Sequence, residues 1–477
     1  MSIKLNQNDS DSDKSELDRF DQLMSDDVIC ISDSSDSLNN EHAQSSTSNN
    51  LPQTELPFPD GVVKLTHMSG ENKSDDCVTL KDVIQPDKLR KALLTTFVLD
   101  MEWLKSHFRA DTKLVIVQSY NPNIEPQGVL QSADGLTTIV NPEFAGVKYP
   151  VMHSKIMLLF YDKYVRFVAS SANLIEIDWS IMQNAVFIQD IRFDGSQTFA
   201  CTQFGTTFAQ ALRDLSVPGP VVKQLDHMDM SRVRVHIVTS VPTPRARKTY
   251  HADAYGMARL AQITRQMRRE SAVLRQINAI ETDVYCYGSS MGKLSSAYLR
   301  DFYCCALGMT WGEIERHTRH TFSPQDVEQR VKVGFHTNDQ GNANKFGQVS
   351  RMCIKCKMDM FTDADFPSSS MHVIEPAVPR TLVHAKLVLM RTGAERRHGW
   401  MYLGSHNFTP GAWGWLNRQQ TSLTYVNNYE FGVVIPDVCY ETVFGRDSVT
   451  CHGSKIPLPF KLAWTGYKET DVPCFSD

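Results

Sequence analysis

The sequence predicts an α/β chain in which two similar domains each build a mixed β-sheet flanked by helices. Three observations carry that reading. Strand-like apolar runs alternate with segments of helical periodicity in both halves. The 477 residues, 42% of them apolar, suffice for sizeable cores in more than one domain. One polar constellation, built around a strand hairpin, occurs twice in the same order.

The expected organisation is a tail over residues 1–75, a first domain over 76–225 and a second over 226–477. The first fifty residues contain twelve serines and almost no aromatic side chains, too little apolar surface to offset the entropy of ordering, so disorder is expected there. Asp87–Leu94 and Met101–Phe108 have helical character; Lys113–Val117 and Thr137–Val140 read as buried strands. Lys155–Phe160 and Tyr164–Ala169 form a hairpin across a short polar turn, and Phe204–Leu212 reads as a helix before Pro218-Gly219-Pro220 breaks the chain. Strand text restarts at Val233–Val238 and Asp283–Tyr287, with helices expected over Ala258–Leu274 and Ala297–Leu307. Thr318–Arg330 and Asp339–Phe346 are polar and read as loops. Leu382–Met390 and Trp400–Gly404 form a second hairpin, followed by a strand at Phe431–Ile435.

The net charge of −5 conceals two opposite parts. Residues 1–60 hold 13 acidic and three basic side chains, a balance of −10, which leaves +5 for the remainder. An odd count of 11 cysteines and the absence of an apolar leader at the start favour a reducing compartment. Cys353 and Cys356 make one CxxC without a second pair at zinc-site spacing, so no metal is expected. No window approaches 18 continuous apolar residues, and no membrane partner is expected.

The repeated constellation is the main functional signal. His153-Ser154-Lys155 opens one hairpin, whose return strand ends in Ser170-Ser171-Ala172-Asn173, with Trp179 beyond it. His384-Ala385-Lys386 opens the other, which ends in Gly404-Ser405-His406-Asn407, with Trp413 beyond. A His and a Lys two residues apart on a strand project from one face, and the Asn just past the return strand folds back beside them. Idle polar pairs inside apolar strands would cost stability, so their duplication points to one composite active site. Two imidazoles can divide nucleophilic attack from acid–base work, while two lysines and two carboxamides neutralise a phosphoryl group. That chemistry requires no cofactor.

These residues resemble the phospholipase D superfamily, whose members carry two HxK motifs with a downstream GSxN. That superfamily usually has an Asp five residues after the Lys; here Phe160 and Arg391 stand there, a departure shared by its tyrosyl-DNA phosphodiesterase branch. The stretches HSKIMLLFY, SSANLIEIDW, VHAKLVLM, GSHNFTPGAWG and NYEFGVVIP resemble that branch over about residues 80–470.

The resemblance implies a phospholipase D-like duplicated α-β-α sandwich, with two seven-stranded mixed sheets related by a pseudo-twofold axis. It implies a metal-independent phosphodiesterase that hydrolyses 3′-phosphotyrosyl links between DNA and a trapped topoisomerase I peptide, leaving a 3′-phosphate, and that also processes other blocked 3′ ends in DNA repair. His153 is then the nucleophile that becomes phosphohistidine, His384 the general acid and base, and Lys155, Lys386, Asn173 and Asn407 the phosphate clamp. Glu430 is implied to orient His153, and Gln183, which the sequence does not separate from Asn184, to hydrogen-bond His384. Ser289, Ser290, Lys293, Ser405 and Thr409 are implied DNA-backbone contacts, and Tyr149 a base-stacking aromatic. In the tail, Val28-Ile29-Cys30-Ile31 between acids and serines resembles a SUMO-interacting motif, which adds a strand to the modifier's sheet.

The expected partners are therefore single-stranded or duplex DNA with 3′-blocked ends, the topoisomerase I peptide and SUMO or sumoylated repair proteins, for a monomer in the nucleus. The competing readings are another phosphodiesterase of the superfamily, a nuclease or phospholipase, and an inactive SUMO-binding scaffold. Polar candidate loops count against the phospholipase, and the intact pair of His-Lys-Asn sets counts against the scaffold.

Overall fold

In a computed structural model the described residues are 56–475, apart from 145, 148–149, 194–201, 243–253, 311, 315–322, 394, 417–422, 425 and 444–445. The candidate motif at Val28–Ile31 and the candidate Tyr149 lie outside the described residues.

The first half builds β1 (Val62–Thr66), β2 (Cys77–Val78), β3 (Lys91–Thr96), β4 (Lys113–Gln118), β5 (Gly128–Gln131), β6 (Thr137–Asn141), β7 (Val151–Met152), β8 (Ile156–Phe160), β9 (Tyr164–Ser170) and β10 (Ala185–Arg192). Nine of these form a sheet in the order β2-β1-β10-β9-β8-β3-β4-β6-β5, parallel where β3, β4 and β6 meet and antiparallel around the β8–β9 hairpin. The second half contributes β11 (His236–Ser240), β12 (Asp283–Tyr287), β13 (Val331–Phe335), β14 (Met371–Val373), β15 (Leu387–Thr392) and β16 (His398–Gly404). After a two-stranded ribbon, β17 (Trp415–Leu416) and β18 (Leu423–Thr424), come β19 (Asn428–Val443), β20 (Arg446–Cys451), β21 (Ser454–Lys455) and β22 (Thr465–Gly466). Its sheet runs β21-β20-β19-β16-β15-β12-β13-β14-β22, with β11 and β7 also on β19. Both sheets therefore exceed seven strands, largely because two-residue edge strands such as β2, β21 and β22 extend the ladders. Helices Gln203–Asp214, Gly256–Glu270 and Ser296–Ala306 are the longest of the described ones.

The tail expected to reach residue 75 ends earlier, because the apolar β1 (Val62–Thr66) is paired between β10 and β2 in the first sheet. Three local expectations also fail for readable reasons. Lys91–Thr96 is a strand, because the short apolar run is buried between β4 and β8, and buried runs of that length have no decisive periodicity. The helix of that region lies earlier, at Leu80–Ile84, started by a Thr79/Asp82 capping box and ended by Gln85 at φ 46° just before Pro86. The polar stretches read as loops contain helices at Pro324–Arg330 and Asn338–Ala343, each opened by a capping box, Ser323/Asp326 and Thr337/Gln340. Those caps were visible as S-x-x-D and T-x-x-Q.

One feature of the packing matters most for the site. The sixteen-residue β19 is shared: β7 of the first half pairs with it in parallel, Val151 opposite Asn428 and Met152 opposite Tyr429. Phe167 and Phe208 of the first half meet Phe431 of β19 at 6.0 and 5.8 Å between ring centres, so one apolar core runs through both halves. Gly404 at the end of β16 lies so close to β19 that a Cβ would come within 2.4 Å of Gly432 Cα, which excludes every other residue there.

Candidate active site

Each His-x-Lys segment is extended but lies just outside its ladder, ahead of β8 and β15, rather than on the strand as the spacing suggested. The reason is that each histidine backbone is bound to the other half of the chain. His153 N donates to Tyr429 O at 2.9 Å, and His384 N donates to Gln183 O at 2.9 Å. Thr95 of β3 pins the first segment by donating to Ser154 O and accepting from Ile156 N, both at 2.9 Å.

These two backbone bonds make the site symmetrical. Tyr429 is followed by Glu430, and Gln183 by Asn184, so Glu430 and Asn184 occupy equivalent positions beside their histidines. His153 Nδ1 lies 2.9 Å from Glu430 Oε2, and His384 Nδ1 lies 3.2 Å from Asn184 Oδ1 and 3.4 Å from Asp178 Oδ2. Gln183 is thereby corrected: its main chain is spent on His384, its side-chain oxygen is buried without a partner, and the neighbouring Asn184 and Asp178 face the imidazole.

Asp178 went unnoticed in the sequence. It sits five residues after Asn173, while the matching position after Asn407 is Ala412, so comparing the two copies hides it. Its Oδ2 accepts from Asn173 N at 2.6 Å and from Asn173 Nδ2 at 2.9 Å, besides facing His384. Asn173 Oδ1 accepts from Val98 N at 3.2 Å, so the carboxamide is held through both its oxygen and its nitrogen, while Trp179 Nε1 donates to the main-chain Asn173 O at 2.9 Å. Among the described residues the Asn407 carboxamide is held through its oxygen alone, by Ser290 N at 3.1 Å and Ser289 Oγ at 3.4 Å.

Both lysines fold back on their own histidine segment. Lys155 Nζ donates to His153 O at 2.7 Å, and Lys386 Nζ donates to His384 O at 2.5 Å and to Ser289 Oγ at 2.9 Å. All four side chains are buried, with each histidine 8% exposed. Phe97, also absent from the sequence reading, is partly exposed, tilted against His153 at 5.2 Å and 5.8 Å from Lys155 Nζ.

The electrostatics follow from burial. Burial brings Lys155 down to about 7 and Lys386 to about 8, with Glu430 and Asp178 opposing the shift. Burial likewise brings His153 to about 4, with Glu430 pulling upward and Lys155 downward. His384 is lowered for the same reason, opposed by Asp178. Burial alone would raise Glu430, but the charge of His153 and their hydrogen bond overcome it and hold the carboxyl near 2. Asp178 is held well below the usual carboxylate range, its burial outweighed by His384 and the Asn173 amide. The site therefore combines neutral imidazoles, two anionic carboxylates and two lysines that a phosphate anion would keep protonated.

Not every candidate contact reaches the cleft. Ser405 is fully buried, donates to Glu430 and accepts from Phe431 N at 2.9 Å, so it positions the carboxylate and is no phosphate contact. Thr409 caps the short helix Pro410–Trp413 through Ala412 N. Ser289 is buried between Lys386 and Asn407. Lys293 is exposed and ion-paired with Asp363 at 2.5 Å. Among the described residues no group of three or more His, Cys, Asp or Glu side chains is arranged to hold a metal ion.

Comparison with known proteins fits this geometry. Residues 62–468 match the family model described as tyrosyl-DNA phosphodiesterase. The chain is 22% identical over 382 residues to tyrosyl-DNA phosphodiesterase 1 of Arabidopsis thaliana, covering 75% of this chain and 58% of that protein, so it spans less than two thirds of that relative's length. Its fold is similar to the crystal structure of yeast tyrosyl-DNA phosphodiesterase, with a TM-score of 0.62 at 15% identity over 87% of this chain and 99% of that one. A histidine-to-asparagine variant of the yeast protein gives 0.63 at 14% identity, over 87% and 99%.

Proposed function

The chain belongs to the tyrosyl-DNA phosphodiesterase family, and from that premise we propose that it hydrolyses the phosphodiester joining a DNA 3′ end to a tyrosine, leaving a 3′-phosphate. The observation that carries the reading is the crossing of the two halves: each imidazole is bound by a residue of the opposite half, His153 by Glu430 and His384 by Asn184 and Asp178.

In this reading His153 Nδ1–H donates to Glu430, which leaves the Nε2 lone pair for phosphorus. The P–N bond forms as the bond to the tyrosyl oxygen breaks, and His384, neutral without substrate but favoured as imidazolium by the bound phosphate anion and Asp178, gives that oxygen its proton. Neutral His384 then takes a proton from water, whose oxygen attacks phosphorus while the P–N bond breaks. Two displacements give net retention. Lys155, Lys386, Asn173 and Asn407 balance the charge on the non-bridging oxygens. Because that stabilisation is aimed at phosphorus, other blocked 3′ ends are further substrates.

Trapped topoisomerase I peptide is the proposed physiological adduct. The acidic tail motif Val28–Ile31 is a proposed SUMO contact that would recruit the enzyme to sumoylated repair proteins in the nucleus. The decisive assay incubates purified protein with a 5′-labelled oligonucleotide bearing a 3′-phosphotyrosine in EDTA. Conversion to the 3′-phosphate is expected; an uncut substrate, or cleavage within the strand or of phosphatidylcholine instead, would overturn the reading.

A further inference from the structure

Lys293 was the natural candidate for a cation beside the serine segment, but Asp363 neutralises it. A different lysine is paired with that segment. From residue 340 to 358 the chain contains Lys345, Arg351, Lys355 and Lys357 and no Asp or Glu. Lys345 pairs with Glu71, and Arg351 donates to Asn338 at 2.8 Å and to Asn342. Lys355 and Lys357 are exposed, and neither has a carboxylate partner among the described residues.

Lys355 differs from Lys357 in its placement. Its N–H donates to Ser289 O at 2.8 Å and its carbonyl accepts from Met291 N at 2.9 Å, a parallel bridge that sets Lys355 directly opposite Ser290. Opposite residues in a bridge project to the same side, so the ammonium stem stands beside the Ser290 hydroxyl. That hydroxyl has no partner among the described residues, while Ser290 N is fixed by Asn407 and Ser289 by Lys386. The segment thus links the active-site lysine to the surface: Lys386 donates to Ser289 Oγ, and the main chain on either side of Ser290 bonds Lys355.

From this arrangement we infer that Lys355, with the Ser290 hydroxyl, binds the backbone phosphate next to the scissile one, extending the site along the DNA strand. The inference rests on the proposed substrate and adds to it a contact for the strand beyond the 3′ end. A side chain that neutralises a phosphate positions the strand without reading its sequence, and its binding releases counterions.

The test is equilibrium binding of the full chain to a 5′-fluorescein single strand ending in a 3′-phosphate, followed by anisotropy over a range of KCl concentrations. Lys355→Ala is expected to lower the slope of log K against log salt by about 0.7, the loss of one phosphate contact to a single strand. Lys355→Arg should restore it, and Lys293→Ala should leave it unchanged. In the cleavage assay Lys355→Ala should raise KM for oligonucleotides with kcat unchanged, and leave a single-nucleotide 3′-phosphotyrosyl ester unaffected. An unaltered salt slope, or equal losses on the long and single-nucleotide substrates, would refute the contact. If no substrate is cleaved by the wild type yet the slope still depends on Lys355, the reaction assignment fails while the phosphate contact stands.

Discussion

The two imidazoles begin from the same sequence triplet and end in different surroundings. His153 has a single strong partner, Glu430, at 2.9 Å, and that carboxylate is itself fixed by Ser405 and by Asn428 Nδ2 at 2.8 Å. His384 has two longer contacts, Asn184 at 3.2 Å and Asp178 at 3.4 Å, and Asp178 is shared with both amide groups of Asn173. A tightly oriented ring suits a nucleophile, whose lone pair must be aligned before attack. A ring held more loosely, near a carboxylate used elsewhere, suits a group that takes up and gives back a proton. The fold thus gives a duplicated motif two unequal sets of partners, in keeping with the proposed division of roles.

The most direct way to break this comparison is to remove each ring. His153→Ala should abolish turnover, a loss of at least about 10³-fold by analogy with other nucleophile–base units. His384→Asn should permit some attack yet slow release, so that a denaturation-resistant protein–DNA adduct accumulates on gels. An adduct that required His384 and survived the loss of His153 would reverse the assignment.

A smaller effect is expected from the partners. Glu430→Gln should lower kcat by about 10²–10³-fold with little change in KM, since it removes the acceptor that sets the His153 tautomer. Asp178→Asn should cost about tenfold and act on the release step, detected as adduct that persists longer. Asn184→Ala should resemble it, while Gln183→Ala should leave the adduct lifetime unchanged, because Gln183 meets His384 through its main chain.

A separate effect is expected on stability. Burial brings His153, His336 and His406 each to about 4, against 6.5 when unfolded. Between those values the unfolded chain binds more protons than the folded one, so stability should fall as pH drops from about 6.5 to 4. Below that, Glu430, held near 2 against 4.5, adds a further loss as it is protonated. Thermal melts at pH 7, 5.5 and 4.5 measure this, and a flat profile would mean that these rings titrate freely.

Much of the site was legible because it is repeated. His153, Lys155, Asn173, His384, Lys386 and Asn407 stand in one spacing pattern around two hairpins, and the hairpins themselves are strongly apolar runs whose strand character shows locally. Where the repeat breaks, the sequence misleads. Asp178 has Ala412 as its counterpart, and Gln183 and Asn184 are adjacent amides. Choosing between such pairs requires knowing which residue a strand's backbone uses and which side chain a carboxylate has already claimed. The helix expected over Asp87–Leu94 fails similarly, since burial between two strands decided its conformation.

The sequence by itself determined the α/β class, the duplicated hairpins and the six polar groups, because these depend on local periodicity and on spacing along the chain. Only the tertiary structure decided the partners. Glu430 reaches His153 because β7 pairs with β19, and Asn184 and Asp178 reach His384 because Val383 pairs with Gln183. Both pairings join residues 200 or more positions apart, where the free energy of burying a shared core, and no local signal, sets which side chains meet.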